Sequence, residues 1–397
     1  MPNIHHRYGG STIKRTIECP GWAKLAATLP PGMRKESEAA TEGTALHDAM
    51  EDIMESAIAT EVEPAWFLKD DGYTGKQFNG VTLNTEHVER LYLAADAIND
   101  LMDTYDIEYE SIMLEPFVEI IPELAGGSID WLAVSNDGKT AVIADYKFGY
   151  YAVPAENNLQ TLFYALCADA DPSTTDMLKD VERLILAIIQ PANDSEETPN
   201  GLDVWEVPVS ILDEFEGTVA QAVAVAESEH AKVKSGDHCM FCPAMAICPI
   251  KTGEAQNAMK LPAVHIEQLT DVLPKLDDLE AWIKSVRGMA QYALDNGTKI
   301  DGYKLVNKHP RRQWTDEAEV EKKLKSMRGV KGGEQYDQKL KSPAQLEKLF
   351  KQKELDFSKI NNYIAMVSSG TTMAPASDKR EEAIPTKAFK SAMQRLD

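Results

Sequence analysis

Between residues 112 and 209 the chain alternates short apolar runs with polar turns, a pattern that predicts strands. Runs at 112–121, 127–134 and 140–147 read as consecutive strands. The last two are joined through Ser135-Asn136-Asp137-Gly138-Lys139, a segment rich in turn formers. Glu182–Pro191 encloses an uninterrupted apolar run, Leu184 to Ile189, as a strand covered on both faces would. Residues 201–209 read as its edge partner. The surrounding segments space their apolar residues as helices do. Thr41–Met54 places Leu46, Met50, Ile53 and Met54 on one stripe, with Gly43 at its start for close backbone approach; further helices are expected at 84–104, 157–169 and 210–234. This order predicts an α/β domain with a mixed central sheet and helices on its faces.

Past residue 260 the pattern changes. Helices are expected at 266–296, 316–328 and 343–353, with a short strand at 303–308. The domain reading is therefore 1–260, a basic and mainly helical region at 261–360, and a flexible tail at 361–397 whose Ser, Thr, Gly and Pro content cannot bury a core. With 43% hydrophobic and 26% charged residues the composition is that of an ordinary globular protein. No run approaches the roughly 20 apolar residues of a membrane helix. The N-terminus lacks an apolar signal core, so a cytoplasmic location is expected.

Charge sharpens the division. The chain carries 41 Lys+Arg against 64 Asp+Glu. Residues 1–298 hold 20 basic and 50 acidic side chains, whereas 299–359 hold 16 and 10. An acidic body argues against coating nucleic acid non-specifically. Lys304, Lys308, Arg311, Arg312 and Trp314 are the candidate handle for a strand, through phosphate contacts and stacking. A solvated basic face, with Trp314 in a small core, explains the same residues.

Five cysteines, an odd count, argue against a disulfide framework. Cys239, Cys242 and Cys248 form C-x2-C-x5-C-Pro, a spacing that brings thiolates to one metal centre and leaves it one ligand short. Cys19, which also precedes a proline, is the best fourth. Cys167 lies on an apolar helical face and reads as a buried structural thiol. Spacing alone permits zinc or an iron–sulfur cluster.

Candidate chemistry lies between the cysteines. Asp130 sits in one strand and Asp145 ends the next, with Lys147 two residues on. Period-two geometry puts Asp145 and Lys147 on one face and Tyr146 on the other. Carboxylates around a divalent ion beside a lysine suit phosphodiester hydrolysis. Alone, the Asp-x-Lys pattern equally describes a surface ion pair. His47 lies one turn into its helix, and Gln160 and Tyr164 share a helix face at i, i+4. Glu115 reads equally as an additional acid near the site and as an exposed strand carboxylate, since no motif fixes its role. Gly72-Tyr73-Thr74-Gly75-Lys76-Gln77 is too short between glycines for a Walker A loop, so no ATP motor is expected.

In order, Gly43-Thr-Ala-Leu-His47, Gly126-Gly-Ser-Ile-Asp130, Asp145-Tyr-Lys147 and Gln160-Thr-Leu-Phe-Tyr164, bracketed by the cysteines, resemble the PD-(D/E)XK nucleases of the RecB type. The likeness is greatest to the iron–sulfur subgroup that includes the AddB nuclease domain and CRISPR-associated RecB-like exonucleases, and to a phage-encoded branch. It covers about residues 11–250 and extends more weakly to roughly 350, through Gly302-Tyr-Lys-Leu-Val306 and Arg312-Gln-Trp314.

The resemblance implies His47, Asp130, Asp145 and the backbone carbonyl of Tyr146 as ligands of Mg²⁺ or Mn²⁺, with Lys147 catalytic. It implies Gln160 and Tyr164 as residues that shape the site, and Cys19, Cys239, Cys242 and Cys248 as holders of a [4Fe–4S] cluster. The implied activity is a DNA exonuclease processing ends in phage recombination or replication. The alternative is a catalytically silent DNA-binding or scaffold protein that recruits a single-strand-binding or annealing partner. An oligomer is compatible with either.

Overall fold

The computed structural model describes residues 6–33, 37–260, 269–327, 329, 336–337, 339–341, 343–353, 355–367, 371–375 and 381–383. The chain divides into two units, Met1–Trp282 and Ile283–Asp397.

In the first unit the apolar runs form a mixed five-stranded sheet. Its members are β1 (Ile112–Leu114), β4 (Trp131–Val134), β5 (Thr140–Tyr146), β6 (Arg183–Ile189) and β7 (Leu202–Pro208), in that spatial order. β5 and β6 run parallel and all other neighbours antiparallel. A separate antiparallel pair is made by β2 (Phe117–Ile121) and β3 (Ala125–Ser128).

Both expected long strands are therefore broken. The run 112–121 divides at Glu115-Pro116. Pro116 brings no N–H to a ladder, and Glu115 takes a left-handed φ of 46°. The run 127–134 divides at Ile129-Asp130, so that β3 pairs with β2 while β4 pairs with β1 and β5.

Helices cover both faces. On one side lie α1 (Gly10–Glu18), α4 (Leu159–Ala170) and α5 (Ile211–Glu227); on the other lie α2 (Glu38–Thr60) and α3 (Thr85–Tyr105). Strand alternation feeds each layer: Leu132, Ile143, Leu184 and Leu186 enter the first core, and Trp131, Val142, Ala144 and Ile185 the second. Ser37 caps α2, its hydroxyl accepting from the Ala40 amide, so this helix starts before Gly43. Among the described residues nothing lies within 4 Å of where a Gly43 Cβ would stand, so the expected close approach is not made there. α5 ends at Glu227, short of the expected 234.

The unit boundary falls inside α7 (Leu269–Asp295), after Trp282 and not after 260. Lys251 on α6 (Pro249–Ala258) explains the difference: its ammonium lies 2.8 Å from Asp278 and ties the first half of α7 to the first unit.

The second unit adds strands to the expected helices. β8 (Tyr303–Asn307) pairs with β11 (Thr371–Pro375), and β9 (Arg311–Trp314) with β10 (Ile364–Val367), both antiparallel. α8 (Glu317–Lys325) and α9 (Pro343–Gln352) enclose a small core of Val320, Leu324, Leu346, Phe350 and Ile360, against which Trp314 at the end of β9 packs. The tail expected from 361 thus supplies two strands. Their pairing partners lie some fifty or more residues upstream, which local composition cannot reveal. The tail residues 368–370, 376–380 and 384–397 lie outside the described residues.

Candidate active site

At the end of β5 the alternation that fills the two cores places two polar neighbours apart. Asp145 turns to the α4 side, where it is 2% exposed, while the Tyr146 ring enters the opposite core. Gln160 reaches Asp145 from the first turn of α4: its Nε2 donates to Oδ1 at 2.7 Å. That turn is fixed by Asn158, whose Oδ1 accepts from the amides of Gln160 and Thr161. Lys147 forms an ion pair with the second Asp145 oxygen. Burial nonetheless holds the Asp145 carboxyl above its ordinary pKa, against the pull of the Lys147 ammonium.

Tyr164 stands one turn beyond Gln160, its hydroxyl 3.3 Å from Gln160 Nε2. Burial, then the Asp145 charge, pushes its hydroxyl pKa well up. Its ring packs so closely on the start of α1 that a Cβ at Gly10 would stand 2.5 Å from it.

The strand break places the other acid. Asp130 lies between β3 and β4, where its Oδ2 accepts from the Tyr146 amide at 2.7 Å and stands 3.4 Å from His47 Nδ1. Burial alone would raise the Asp130 carboxyl; the charges of His47 and Lys147 overcome it and hold the pKa low. For His47 burial works downward, and Asp130 overcomes it to raise the imidazole pKa. Tyr146 and Phe148 set their rings edge-on to this imidazole.

The second strand break adds Glu115. Its left-handed backbone turns the chain out of β1, and His47, Glu115 and Asp130 each bring a ligand atom within 4.8 Å of the others. Burial and the Asp130 charge push the Glu115 carboxyl up to about 8. The Glu115-Pro116 pair, a breaker within an apolar run, is the signal by which this acid could have been found in the sequence. A cluster of three carboxyls and an imidazole, with one ammonium beside it, is a donor set suited to a hard divalent cation.

Cys19, Cys239, Cys242 and Cys248 line one small cavity, together with Trp22, His238 and Lys251. Cys19 is held against the segment before the cysteine loop: Lys234 donates its amide to Cys19 Sγ at 3.2 Å, and the Gly21 amide bonds Lys232 O at 3.0 Å. Among the described residues, no three of the four sulfurs lie within 4.8 Å of one another. Burial pushes the thiols of Cys19, Cys239 and Cys242 up. Cys167 is fully buried in the core under α4, away from this cavity.

The candidate handle of the second unit is largely committed elsewhere. Trp314 is half-buried against the small core and donates its indole N–H to Lys341 O at 3.0 Å. Arg312 pairs with Glu347 and lies 5.9 Å from the Phe357 ring centroid. Lys304 lies on β8 and Lys308 on the exposed turn after it; the Arg311 side chain lies outside the described residues.

Residues 5–381 match a family model described as "Protein of unknown function (DUF2800)", and the chain belongs to that family. Among solved structures the chain is similar to one described as "Crystal structure of SSO0001". The identity is 11%, over 60% of this chain and 94% of that one, with a TM-score of 0.21. A superposition this loose carries no argument about the site.

Proposed function

We propose that this member of the DUF2800 family is a divalent-metal-dependent deoxyribonuclease on a PD-(D/E)XK fold of the RecB type, with an iron–sulfur clasp. The observation that carries the reading is the grip on Asp145, where Gln160 holds one oxygen at 2.7 Å and Lys147 pairs with the other. Motif residues separated by up to 15 positions in sequence meet there at one carboxylate.

His47, Asp130, Asp145 and Glu115 would hold Mg²⁺ or Mn²⁺, with the Tyr146 carbonyl. Glu115, pushed up to about 8 by burial first and then by the Asp130 charge, is a carboxyl whose ionised form a bound cation would favour. When bound, the cation supplies Lewis acidity at the scissile phosphate. Lys147 neutralises charge that develops on the phosphoryl oxygens and orients the attacking water. Gln160 keeps Asp145 from rotating away from both, and Tyr164 backs Gln160. The Tyr146 amide fixes Asp130, which in turn orients His47.

Four cysteines around one cavity fit a [4Fe–4S] cluster. Its role would be to fasten the start of the chain to residues 239–248, closing a long loop.

DNA end processing in phage recombination or replication remains the proposed setting, with a single-strand-binding or annealing protein as the proposed partner. The test is cleavage of DNA by the metal-loaded protein beside Lys147→Ala: loss of cleavage in the variant is expected, and undiminished cleavage would sink the assignment.

A further inference from the structure

Three and four residues beyond Lys147 the chain presents Tyr150 and Tyr151, with ring-bearing side chains 72% and 64% exposed. Single exposed aromatics are ordinary. These two are unusual in being held by a buried scaffold. Gln190, 1% exposed, donates from Nε2 to the carbonyls of Gly149 (2.7 Å) and Tyr151 (2.8 Å), and its Oε1 accepts from the Val153 amide at 3.0 Å. Asn193 bonds the same Oε1 and keeps the glutamine in place. Asp203 then takes the Ala155 amide at 2.8 Å.

Each ring has its own brace. The Tyr150 hydroxyl donates to Glu86 on α3 at 2.9 Å, and the Arg90 guanidinium stands 5.5 Å from the ring centroid. Tyr151 meets Phe241 edge-to-face at 6.2 Å, in the loop between Cys239 and Cys242; Phe241 is itself 60% exposed. Rings rigid at the backbone and open on their surface have already lost the entropy that binding would otherwise cost.

We propose that Tyr150 and Tyr151 are a base-stacking platform that receives unpaired nucleotides flanking the phosphate presented to Lys147. This rests on the nuclease reading and deepens it by naming a specificity determinant. Charge points the same way. A body with 20 basic against 50 acidic side chains in residues 1–298 gains little from phosphate contacts. Stacking needs no positive charge and accepts any base, but it requires base faces that a duplex keeps covered. The platform therefore selects single strands, and its affinity depends weakly on salt.

The test measures binding by the full chain, anaerobic and in EDTA so that nothing is cut. The probes are a labelled oligothymidylate, an abasic strand of the same length and phosphate count, and a blunt duplex. The abasic strand and the duplex should each bind at least about tenfold more weakly than the oligothymidylate. Tyr150→Ala and Tyr151→Ala should each cost about as much, and Tyr151→Trp should restore affinity. Equal affinity for the abasic strand overturns the platform without any variant, as does wild-type affinity in both alanine variants or no binding of the oligothymidylate. Cleavage lost in Lys147→Ala while the abasic strand binds fully would leave the nuclease standing and remove only the platform. Cleavage persisting in Lys147→Ala would remove the nuclease reading itself.

Discussion

Asp145 is buried at 2% exposure with Gln160 on one oxygen and Lys147 paired with the other, so the two neighbours should be separable by mutation. On the proposed nuclease reading, Lys147→Ala removes the charge assigned to the transition state and should lower the cleavage rate by about a thousandfold. Gln160→Ala leaves that charge in place but frees Asp145 to rotate; a loss of about ten- to a hundredfold is expected, with the thermal melt preserved. Single-turnover rates on one end-labelled strand compare the two. Glu115 gives a different signature. Its carboxyl titrates at about 8 in the folded chain, above its ordinary value of 4.5. A raised carboxyl pKa favours folding while the group is protonated in both states. That stability is lost as pH rises from about 4.5 through about 8. Metal-free protein should therefore melt at progressively lower temperature across this window. Glu115→Gln should flatten the dependence and melt higher than wild type at the alkaline end, yet gain less from added Mn²⁺. A melt in EDTA with the same pH slope for both proteins would contradict this account. Periodicity placed Asp145 and Lys147 on one strand face and Gln160 and Tyr164 on one helix face, but only the resemblance joined the four into one candidate site. Glu115 was visible only as an acid in an apolar run, because its role comes from a backbone turn and not from a pattern.

Elements behave in the same way. Helices α3 and α4 lie within a residue or two of their expected limits, because caps such as Asn84 and Asn158 declare their starts in the sequence. The strands at 112–121 and 127–134 read as continuous, yet both break where an acid enters the site. Alternation continues through such a break and conceals it. Strands β10 and β11 were hidden in a tail-like composition for a further reason: each depends on a partner remote in sequence. Packing between elements leads to a test at α1. A Gly10 Cβ would lie 2.5 Å from the Tyr164 ring, so Gly10→Ala must displace either α1 or the tyrosine. The expected cost is about 1–3 kcal/mol of stability. Because Tyr164 stands behind Gln160, cleavage should fall as well; Tyr164→Phe, which keeps the ring, should melt close to wild type. Thermal melts and rates on these two variants separate packing from hydrogen bonding.

Across the whole first unit, the cysteine cavity joins residue 19 to residues 239–248. Anaerobically purified protein is expected to be brown and to contain iron and acid-labile sulfide. Cys19→Ser should lose most of the iron and melt lower, whereas Cys167→Ser, altered in the core under α4, should keep the iron. Colourless protein containing zinc would remove the cluster and leave the hydrolytic site untouched. The nuclease itself is the central claim, and one experiment addresses it most directly: anaerobic protein and Lys147→Ala, each given 5′- and 3′-end-labelled single-stranded and duplex DNA with Mn²⁺ or Mg²⁺. The expected result is metal-dependent degradation by the wild type, abolished by EDTA and by the variant, with the label reporting polarity. DNA left intact under every condition, or cut equally by Lys147→Ala, would contradict it.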